Sequence, residues 1–514
     1  MALPAERAQH LSIDSSFFGH PRGLSTLFFT EMWERFSYYG MRALLILFLT
    51  APLAAGGMGF NAATAGAIYG TYTAMVYMTN LPGGWIADRL LGQRRAVLYG
   101  GILIASGHFS MAFPAIPTFY LGLVLIVLGT GLLKPNISVI VGQLYGPKDQ
   151  RRDAGFSIFY MGINLGAFIA PLVTGFLAQD PTFRTWLSGH GFDPAHSWHW
   201  GFGAAGVGMT LGLVQYILGG GQLGDAGLHP VAPSSPEDGA ELQRRSTLIL
   251  GAGALIVAAL AAGMALGVLP ITARQVADAS GYLLLAVTVI FFGWLFFAGH
   301  WTPEERRRLY VIGVFFLAAA LFWSVFEQAG STLNLFADRS TKLEVFGWHF
   351  QSSYFQSLNS LFIITLAPVF GWLWVKLGRH EPASPVKFSF GLIGVGVGFA
   401  ILLPAARMAG SGVQVSAFWL TTTYLIHTFA ELCLSPVGLS AMTKLAPARI
   451  VGLMMGVWFL GASVGNYLGG RLAGFYESMP LPNLLGSVAA FAIFAGVVML
   501  AFSAPLKRMM GEVK

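Results

Sequence analysis

Residues 30 to 40 read TEMWERFSYYG and lie inside an apolar segment that runs from about residue 24 to residue 50. On a helix of 3.6 residues per turn, positions i, i+3, i+4 and i+7 share one face, and here they are Glu31, Glu34, Arg35 and Tyr38. A charge at the centre of a membrane helix costs roughly 2.5 to 3.5 kcal/mol on insertion scales, so this face must line a helix bundle or a water-filled cavity. We interpret it as a functional site. The alternative is that these residues only pair with one another, but one Arg cannot neutralise two carboxylates.

The composition indicates an all-α integral membrane protein. Of the 514 residues, 55% are hydrophobic and 10% are charged, whereas about a quarter of the residues in soluble domains are charged. Apolar runs of 18 or more residues predict helices, because a barrel strand spans a membrane with only about 10 residues of alternating pattern. We predict fourteen spans: 24–50, 63–87, 96–113, 118–144, 154–178, 200–220, 246–269, 280–299, 309–336, 350–375, 387–407, 415–443, 450–476 and 482–506.

Basic residues are concentrated in alternate loops. The net charge of +7 does not indicate nucleic-acid binding, because these residues are not gathered on one soluble domain. The positive-inside rule predicts that both termini are cytoplasmic, as an even number of spans requires. We expect no removable signal peptide. Cys433 is the sole cysteine, which excludes an intrachain disulfide and a metal site built from cysteines.

The spans divide into two sets of six around a central insertion. Residues 221–245 are rich in Gly, Pro and Ser and predict a cytoplasmic linker. Residues 246–300 predict two accessory helices whose apolar runs contain no charge, which favours a lipid-facing position. The remaining ranges, 1–220 and 301–514, predict an N-terminal and a C-terminal six-helix bundle. Weak internal similarity supports such a parallel repeat, which many transporters use with the substrate site at the interface of the two halves.

The segment GGWIADRLLGQRR after the second span resembles the signature loop of the major facilitator superfamily. That loop uses an Asp and basic groups to latch helix ends on the cytoplasmic side, and the matching residues here are Asp88, Arg89, Arg94 and Arg95. A solvated loop that is basic only because it follows the positive-inside rule would explain the arginines but not Asp88.

Four further charges fall within predicted spans: Arg42, Lys134, Glu327 and Glu431. With the first-helix group, four carboxylates face three cations, and a carboxylate left without a cation can take up and release protons. From their depths in the spans we expect Arg42 to meet Glu327, and Lys134 to meet Glu431. We hypothesise that these pairs are alternative gates of an alternating-access cycle. The alternative is that each pair is a permanent ion pair with only a structural role.

Several motifs in the right order resemble the proton-dependent oligopeptide transporter family, in a bacterial form with two extra helices. The resemblance extends from the first to the last core helix and rests on these residues: Glu31-x-x-Glu34-Arg35-Phe36-x-Tyr38-Tyr39-Gly40, Lys134-Pro135-Asn136, Phe159-Tyr160-x-x-Ile163-Asn164-x-Gly166, and Glu431 ahead of Ser435-Pro436-x-Gly438-Leu439-Ser440. The chain has Ala167 where the third motif more often has Ser. The resemblance implies import of di- and tripeptides across the bacterial inner membrane by proton symport, with no cofactor besides the proton. Nothing in the sequence requires more than a monomer.

The resemblance also implies roles for individual residues. Proton coupling would involve Glu31, Glu34, Arg35 and Glu327. Peptide binding would involve Arg35, Tyr38, Tyr39, Tyr77, Lys134, Asn164, Trp323, Asn359, Glu431 and Trp458. Arg35 and Lys134 suit a peptide carboxylate, Glu431 suits the ammonium, and the aromatic rings suit varied side chains.

Two alternative functions compete with peptide transport. An intramembrane enzyme is disfavoured, because the G-x-S-x-G match around Ser463 lies in an apolar span rather than at a strand-to-helix turn. The closer alternative is the same fold carrying another small substrate, such as nitrate, another zwitterion or a drug.

Overall fold

The computed structural model describes residues 15–146, 149–230, 272–447 and 450–511, together with scattered positions between 240 and 263. Apart from the scattered positions between 240 and 263, the described residues form eighteen α-helices: α1 Gly23–Thr50, α2 Ala62–Met78, α3 Asn80–Ile86, α4 Gln93–Met111, α5 Ile116–Gln143, α6 Arg152–Gln179, α7 Pro181–Gly189, α8 Ser197–Leu218, α9 Ala273–Gly293, α10 Pro303–Phe326, α11 Thr332–Ser340, α12 Gln356–Leu377, α13 Ser384–Ile401, α14 Leu403–Gly410, α15 Ala417–Leu445, α16 Val451–Ala473, α17 Leu481–Ala501 and α18 Ser503–Met510.

Four two-residue strands lie in the connections between helices. They are β1 Thr341–Lys342, β2 Glu344–Val345, β3 Trp348–His349 and β4 Val415–Ser416. β1 pairs with β4 in parallel, and β2 and β3 form an antiparallel hairpin. The hairpin turn uses positive φ angles at Phe346 (52°) and Gly347 (81°).

The predicted spans agree well with the helices. Each predicted span except 246–269 contains a helix, and that first accessory span lies largely outside the described residues. In the part of the chain that the structure describes, nine helices are long and apolar enough to cross a membrane by length and composition alone. α1 is not among them because its charged residues interrupt the apolar run, and α2 has only 17 residues. The count of fourteen spans therefore stays a prediction.

The second accessory helix differs from its prediction at the N-terminal end. α9 begins at Ala273 rather than near residue 280, and its first turns include Arg274 and Asp278. Asp278 Oδ1 lies 2.8 Å from Arg471 Nη1 of α16. The hydropathy pattern stops at the first polar residues, whereas the helix includes them, and the Asp278 carboxylate has a cationic partner. The two charged residues precede the predicted run 280–299, which itself contains no charge, and the lipid-facing position of this helix stays a prediction.

The chain forms two compact units. The first contains Met1–Met41, Thr79–Ala178 and His196–Thr272, and the second contains Arg42–Met78, Gln179–Ala195 and Ala273–Lys514. The first nineteen residues of α1 belong to the first unit and its last turns belong to the second. The predicted division into 1–220 and 301–514 follows the order of the chain and stays a prediction.

Small residues allow close helix packing in the first unit. A Cβ on Gly166 of α6 would lie 2.1 Å from the Met32 carbonyl oxygen of α1, and a Cβ on Gly83 of α3 would lie 1.9 Å from the Gly131 carbonyl oxygen of α5. A side chain at either position would push the helices apart. Such contacts between small residues are typical of helix association in membranes, where there is no hydrophobic driving force between helices.

The signature loop at the end of α3 joins helix ends, as its resemblance implies. Asp88 Oδ1 accepts a hydrogen bond from Gln93 Nε2 (2.8 Å), and Arg94 donates to the carbonyl oxygens of Ala226 (2.7 Å) and Gly224 (2.6 Å). Residues 220–230, at the start of the predicted linker, thus contact the first turn of α4. Most of the remaining linker, 231–239, lies outside the described residues.

In the second unit, Glu477 joins three elements beyond the ends of the spans. Its Oε2 accepts a hydrogen bond from the backbone N–H of Ala62 (2.9 Å), the first residue of α2, and its Oε1 accepts one from Arg339 Nη1 (2.8 Å) of α11. Burial alone would raise the pKa of the Glu477 carboxyl, but these hydrogen bonds and the Arg339 charge lower that pKa below its ordinary value of 4.5. The ionised carboxylate is therefore the form that this contact stabilises.

Candidate functional site

The first group of charged side chains lies on the inner face of α1, in the first unit. Arg35 Nε lies 3.1 Å from Glu31 Oε1 and also donates a hydrogen bond to Glu34 Oε2. All three side chains are buried, with exposed fractions of 2% for Glu31, 0% for Glu34 and 3% for Arg35. The i, i+4 spacing makes Glu31 and Arg35 neighbours on one helix face, whereas the contact of Arg35 with the adjacent residue Glu34 is an observation that helix spacing alone does not predict.

This group retains unused hydrogen-bonding capacity. Within the described residues, Glu31 Oε2, Glu34 Oε1 and Arg35 Nη2 are buried without a hydrogen-bond partner. Unsatisfied buried polar atoms are costly and rare in native proteins, and each calls for an explanation such as a bound water or ligand. One guanidinium facing two carboxylates leaves these three side chains with one negative charge in excess, which the nearby Lys134 or a proton on a carboxylate would balance. The group is therefore able to exchange a proton and to offer a guanidinium N–H to an anion.

Three other predicted residues of the first unit surround this group. The Arg35 guanidinium carbon lies 5.3 Å from the centre of the Tyr38 ring, which is a cation–π distance, and the Tyr38 and Tyr39 rings meet edge to face at 5.1 Å. The half-buried Lys134 lies close enough for its charge to act on Glu31.

Asn164 of α6 is buried in the same unit, and its side-chain amide donates to the Tyr160 carbonyl oxygen one turn earlier (3.1 Å). Its carboxamide oxygen is the remaining acceptor that could serve a ligand.

In the second unit, Arg42 and Glu327 form a buried ion pair between Arg42 Nη2 and Glu327 Oε2. Their side chains are 9% and 6% exposed. Arg42 Nε also donates a hydrogen bond to the hydroxyl of Tyr69 in α2 (2.7 Å). The guanidinium is thus shared between a carboxylate and a phenol, which holds it in one orientation.

Glu431 of α15 has a different kind of partner. Its Oε2 accepts a hydrogen bond from Asn359 Nδ2 (2.9 Å), and the same amide also contacts Thr428 Oγ1 (3.1 Å). Glu431 is 9% exposed, and the charges of Glu327 and Arg42 act on it from within the unit. A buried carboxylate held by a neutral amide is suited to receive a cation or a proton.

The three predicted pocket aromatics of the second unit lie on different helices. Trp458 of α16 is 7% exposed and packs against Gly438, whose added Cβ would lie 2.3 Å from the indole ring. Tyr77 and Phe459 have ring centres 6.4 Å apart. Trp323 Nε1 is buried with no hydrogen-bond partner in the described residues.

The structure therefore brings together the α1 group with Lys134, the Arg42–Glu327 pair, and Glu431 with Asn359. Lys134 and Glu431 belong to different units, and their pairing stays a prediction. Sequence reasoning missed Tyr69 and Thr428. A tyrosine hydroxyl inside a span normally needs a hydrogen-bond partner, so Tyr69 could have been suspected, but its partner could not be identified from spacing.

The apolar helices of membrane-spanning length indicate a multi-pass membrane protein, and comparison with known proteins identifies it as a transporter with the fold of the major facilitator superfamily. The POT family model matches residues 94–230 and 251–486. The chain belongs to this family, the proton-dependent oligopeptide transporters, which confirms the resemblance drawn from the motifs.

Relatives and a solved structure cover the whole chain. The peptide transporter YePEPT of Yersinia enterocolitica is 41% identical over 514 residues, which cover 97% of this chain and 96% of the relative. A di-/tripeptide transporter of Lactococcus lactis is 36% identical over 509 residues, 98% of this chain and 99% of the relative. A crystal structure of peptide transporter POT in complex with sulfate has a TM-score of 0.87 and 42% identity, covering 99% of this chain and 100% of that chain.

Proposed function

We propose that this protein imports di- and tripeptides across the bacterial cytoplasmic membrane by proton-coupled symport and alternating access. The observation that carries the proposal is the buried group on α1, in which Arg35 meets both Glu31 and Glu34 while Nη2 has no hydrogen-bond partner in the described residues. While Glu31 and Glu34 are ionised, they stay paired with the Arg35 guanidinium. When one of them is protonated, the guanidinium can pair with the carboxylate of a peptide instead. Proton uptake and peptide binding would thus share one guanidinium. The names of the peptide-transporting relatives support the same substrate class.

The remaining predicted residues complete this proposal. Lys134 and Tyr39 would help Arg35 to hold the carboxylate of a peptide, because paired cations suit a fixed negative charge. Glu431, kept in position by Asn359, would receive the ammonium together with Asn164. The rings of Tyr38, Tyr77, Trp323 and Trp458 would accept varied side chains through their apolar faces.

The two predicted pairs would act as gates. The Arg42–Glu327 pair would close in one state, and Lys134 with Glu431 would close in the other, so that proton and peptide decide which one is formed. We further propose that the protein acts as a monomer with both termini in the cytoplasm.

Uptake of labelled dialanine into proteoliposomes tests the proposal. With an inward proton gradient and a negative interior, we expect accumulation that collapses with an uncoupler and that tripeptides compete but free alanine does not. A potential of 100 mV contributes about 2.3 kcal/mol per charge moved, which corresponds to accumulation of roughly tens-fold. Absence of uptake for every small peptide, in liposomes containing folded protein, would favour another substrate on the same fold.

A further inference from the structure

The connection between α6 and α8 contains a nine-residue helix, α7, that the transport proposal does not use. α6 is a membrane-length apolar helix that ends at Gln179, and the next such helix, α8, begins at Ser197. α7 starts at Pro181, so only Asp180 separates it from the preceding span. The positive-inside pattern assigns this connection to the outer surface. α7 therefore starts within a few ångströms of the level at which a span leaves the bilayer.

α7 is held to the rest of the protein at its N-cap residue and along one side. Asp180 caps the helix: its Oδ1 accepts a hydrogen bond from the Thr182 backbone N–H (2.8 Å), and its Oδ2 accepts one from Gln351 Nε2 (2.8 Å). Leu187 is completely buried. A capped end and a buried leucine together fix both the direction and the rotation of a short helix.

A second side of α7 carries a row of stacked rings, in which Trp186 and His190 are exposed and Phe183 is half-buried. Phe183, Trp186 and His190 follow at i, i+3 and i+7, so they share one face. The Phe183 and Trp186 rings stack at 5.6 Å with planes 13° apart, and Trp186 stacks on His190 at 4.2 Å. Trp186 is nevertheless 46% exposed, and Phe192 just beyond the helix is 49% exposed.

Beside this row, Thr182, Thr185 and Ser188 are exposed and uncharged, and the one charged residue of α7, Arg184, is half-buried. An aromatic row beside a polar row that includes an arginine is the composition of a helix that lies in the plane of a membrane interface. Tryptophan is enriched at this level because its ring is apolar while its N–H still reaches water.

We propose that α7 is an interfacial helix whose Phe183–Trp186–His190 row inserts among the lipids of the outer leaflet, at the level of the headgroups and the first acyl carbons. The occupant is lipid because the span α6, which itself exposes the apolar residues Ile169, Val173 and Phe176, leads into the helix after a single residue. The helix would fix the height of this side of the transporter in the bilayer.

Hydroxyl-radical footprinting of the wild-type protein tests this in lipid nanodiscs that hold one copy each. Trp348, in the outer β2–β3 hairpin, is a matched control because its exposed fraction in the protein alone, 63%, is within twofold of the 46% of Trp186. We expect Trp186 to be oxidised several-fold more slowly than Trp348. Equal oxidation of the two rings would overturn the proposal. The single copy per disc excludes protection by a second transporter.

A second measurement distinguishes lipid from burial against protein. In a Cys433→Ser background, nitroxide labels at Phe183→Cys and Thr185→Cys sample the aromatic and polar rows. The label at position 183 should collide more often with oxygen than with a water-soluble nickel chelate, and the label at 185 should show the reverse order. Access of the chelate to both labels, or exclusion of both reagents from position 183, would refute membrane insertion.

Discussion

Neutralising both partners of the Arg42–Glu327 pair should cost less stability than the sum of the two single neutralisations. Removing one member of a buried ion pair leaves an uncompensated charge and typically costs 3 to 5 kcal/mol. In Glu327→Gln, Arg42 keeps its hydrogen bond to Tyr69 (2.7 Å), so we expect the lower end, about 3 kcal/mol. Because Gln has nearly the shape of Glu, no cavity term is added.

The double variant Arg42→Gln, Glu327→Gln contains neither charge of the pair, and its two amides remain able to bond to each other. We therefore expect its loss of stability to be smaller than the sum of the single losses, with a coupling energy of about 2 to 3 kcal/mol. Tyr69→Phe is a control that removes only the phenol hydroxyl. It should cost about 1.5 to 3 kcal/mol, as hydrogen bonds to charged groups do.

Unfolding in mixed micelles, titrated with a denaturing detergent, would give these energies as a double-mutant cycle. Single variants within about 0.5 kcal/mol of the wild type would show that the pair behaves like a solvent-exposed bridge and would refute the argument. Strictly additive losses would refute the coupling. Uptake by the same variants separates stability from gating, since full transport after the pair is broken would exclude a gating role.

Three further predictions concern other parts of the molecule. Glu34→Gln should abolish uphill uptake yet spare downhill exchange in proteoliposomes, because the coupled proton is lost while Arg35 remains. Gly83→Ala should destabilise the protein by about 1 to 3 kcal/mol through overpacking, whereas the neighbouring Gly84→Ala should be close to neutral, since its added Cβ meets its nearest atom at 3.9 Å. The pKa of Glu477 is lowered, so its stabilising contact is present above pH 4.5 and is lost as the pH falls through the folded-state pKa. Glu477→Gln should therefore lower the melting temperature at pH 7. It should also weaken the dependence of the melting temperature on pH in the acid range.

Each of these three predictions can fail in a recognisable way. Loss of peptide binding in Glu34→Gln would indicate a structural role for the carboxylate. Equal stability of Gly83→Ala and Gly84→Ala would show that α3 and α5 can move apart without a loss in the free energy of unfolding. An unchanged acid dependence in Glu477→Gln would assign the pH effect to other carboxylates.

The sequence predicted the helices well because a spanning helix leaves a long apolar run, and it predicted the α1 group because all of its members lie on one helix. The meeting of Arg42 with Glu327 was expected from depth alone. Tyr69 could not be assigned to that pair, because a tyrosine in an apolar run looks the same whether its hydroxyl reaches a cation or water.

Contacts between distant segments account for the other differences. α9 begins earlier than the sequence predicts, and its Asp278 meets Arg471, nearly two hundred positions later, which no local pattern shows. The capping of α2 by Glu477 likewise joins residues that no local pattern connects. α7 was not predicted, because nine residues are too few for a clear helical period.

Because α1 is one uninterrupted helix, it constrains the number of residues between Arg35 and Arg42 as well as their side chains. Arg35 and Arg42 are seven positions apart on one uninterrupted helix, about 10.5 Å along its axis and almost on the same face. Inserting or deleting a single residue between them would turn one guanidinium by about 100° relative to the other. The six intervening positions therefore admit substitutions but no change in number. A functional homologue with a gap in this segment would have to break or rewind the helix.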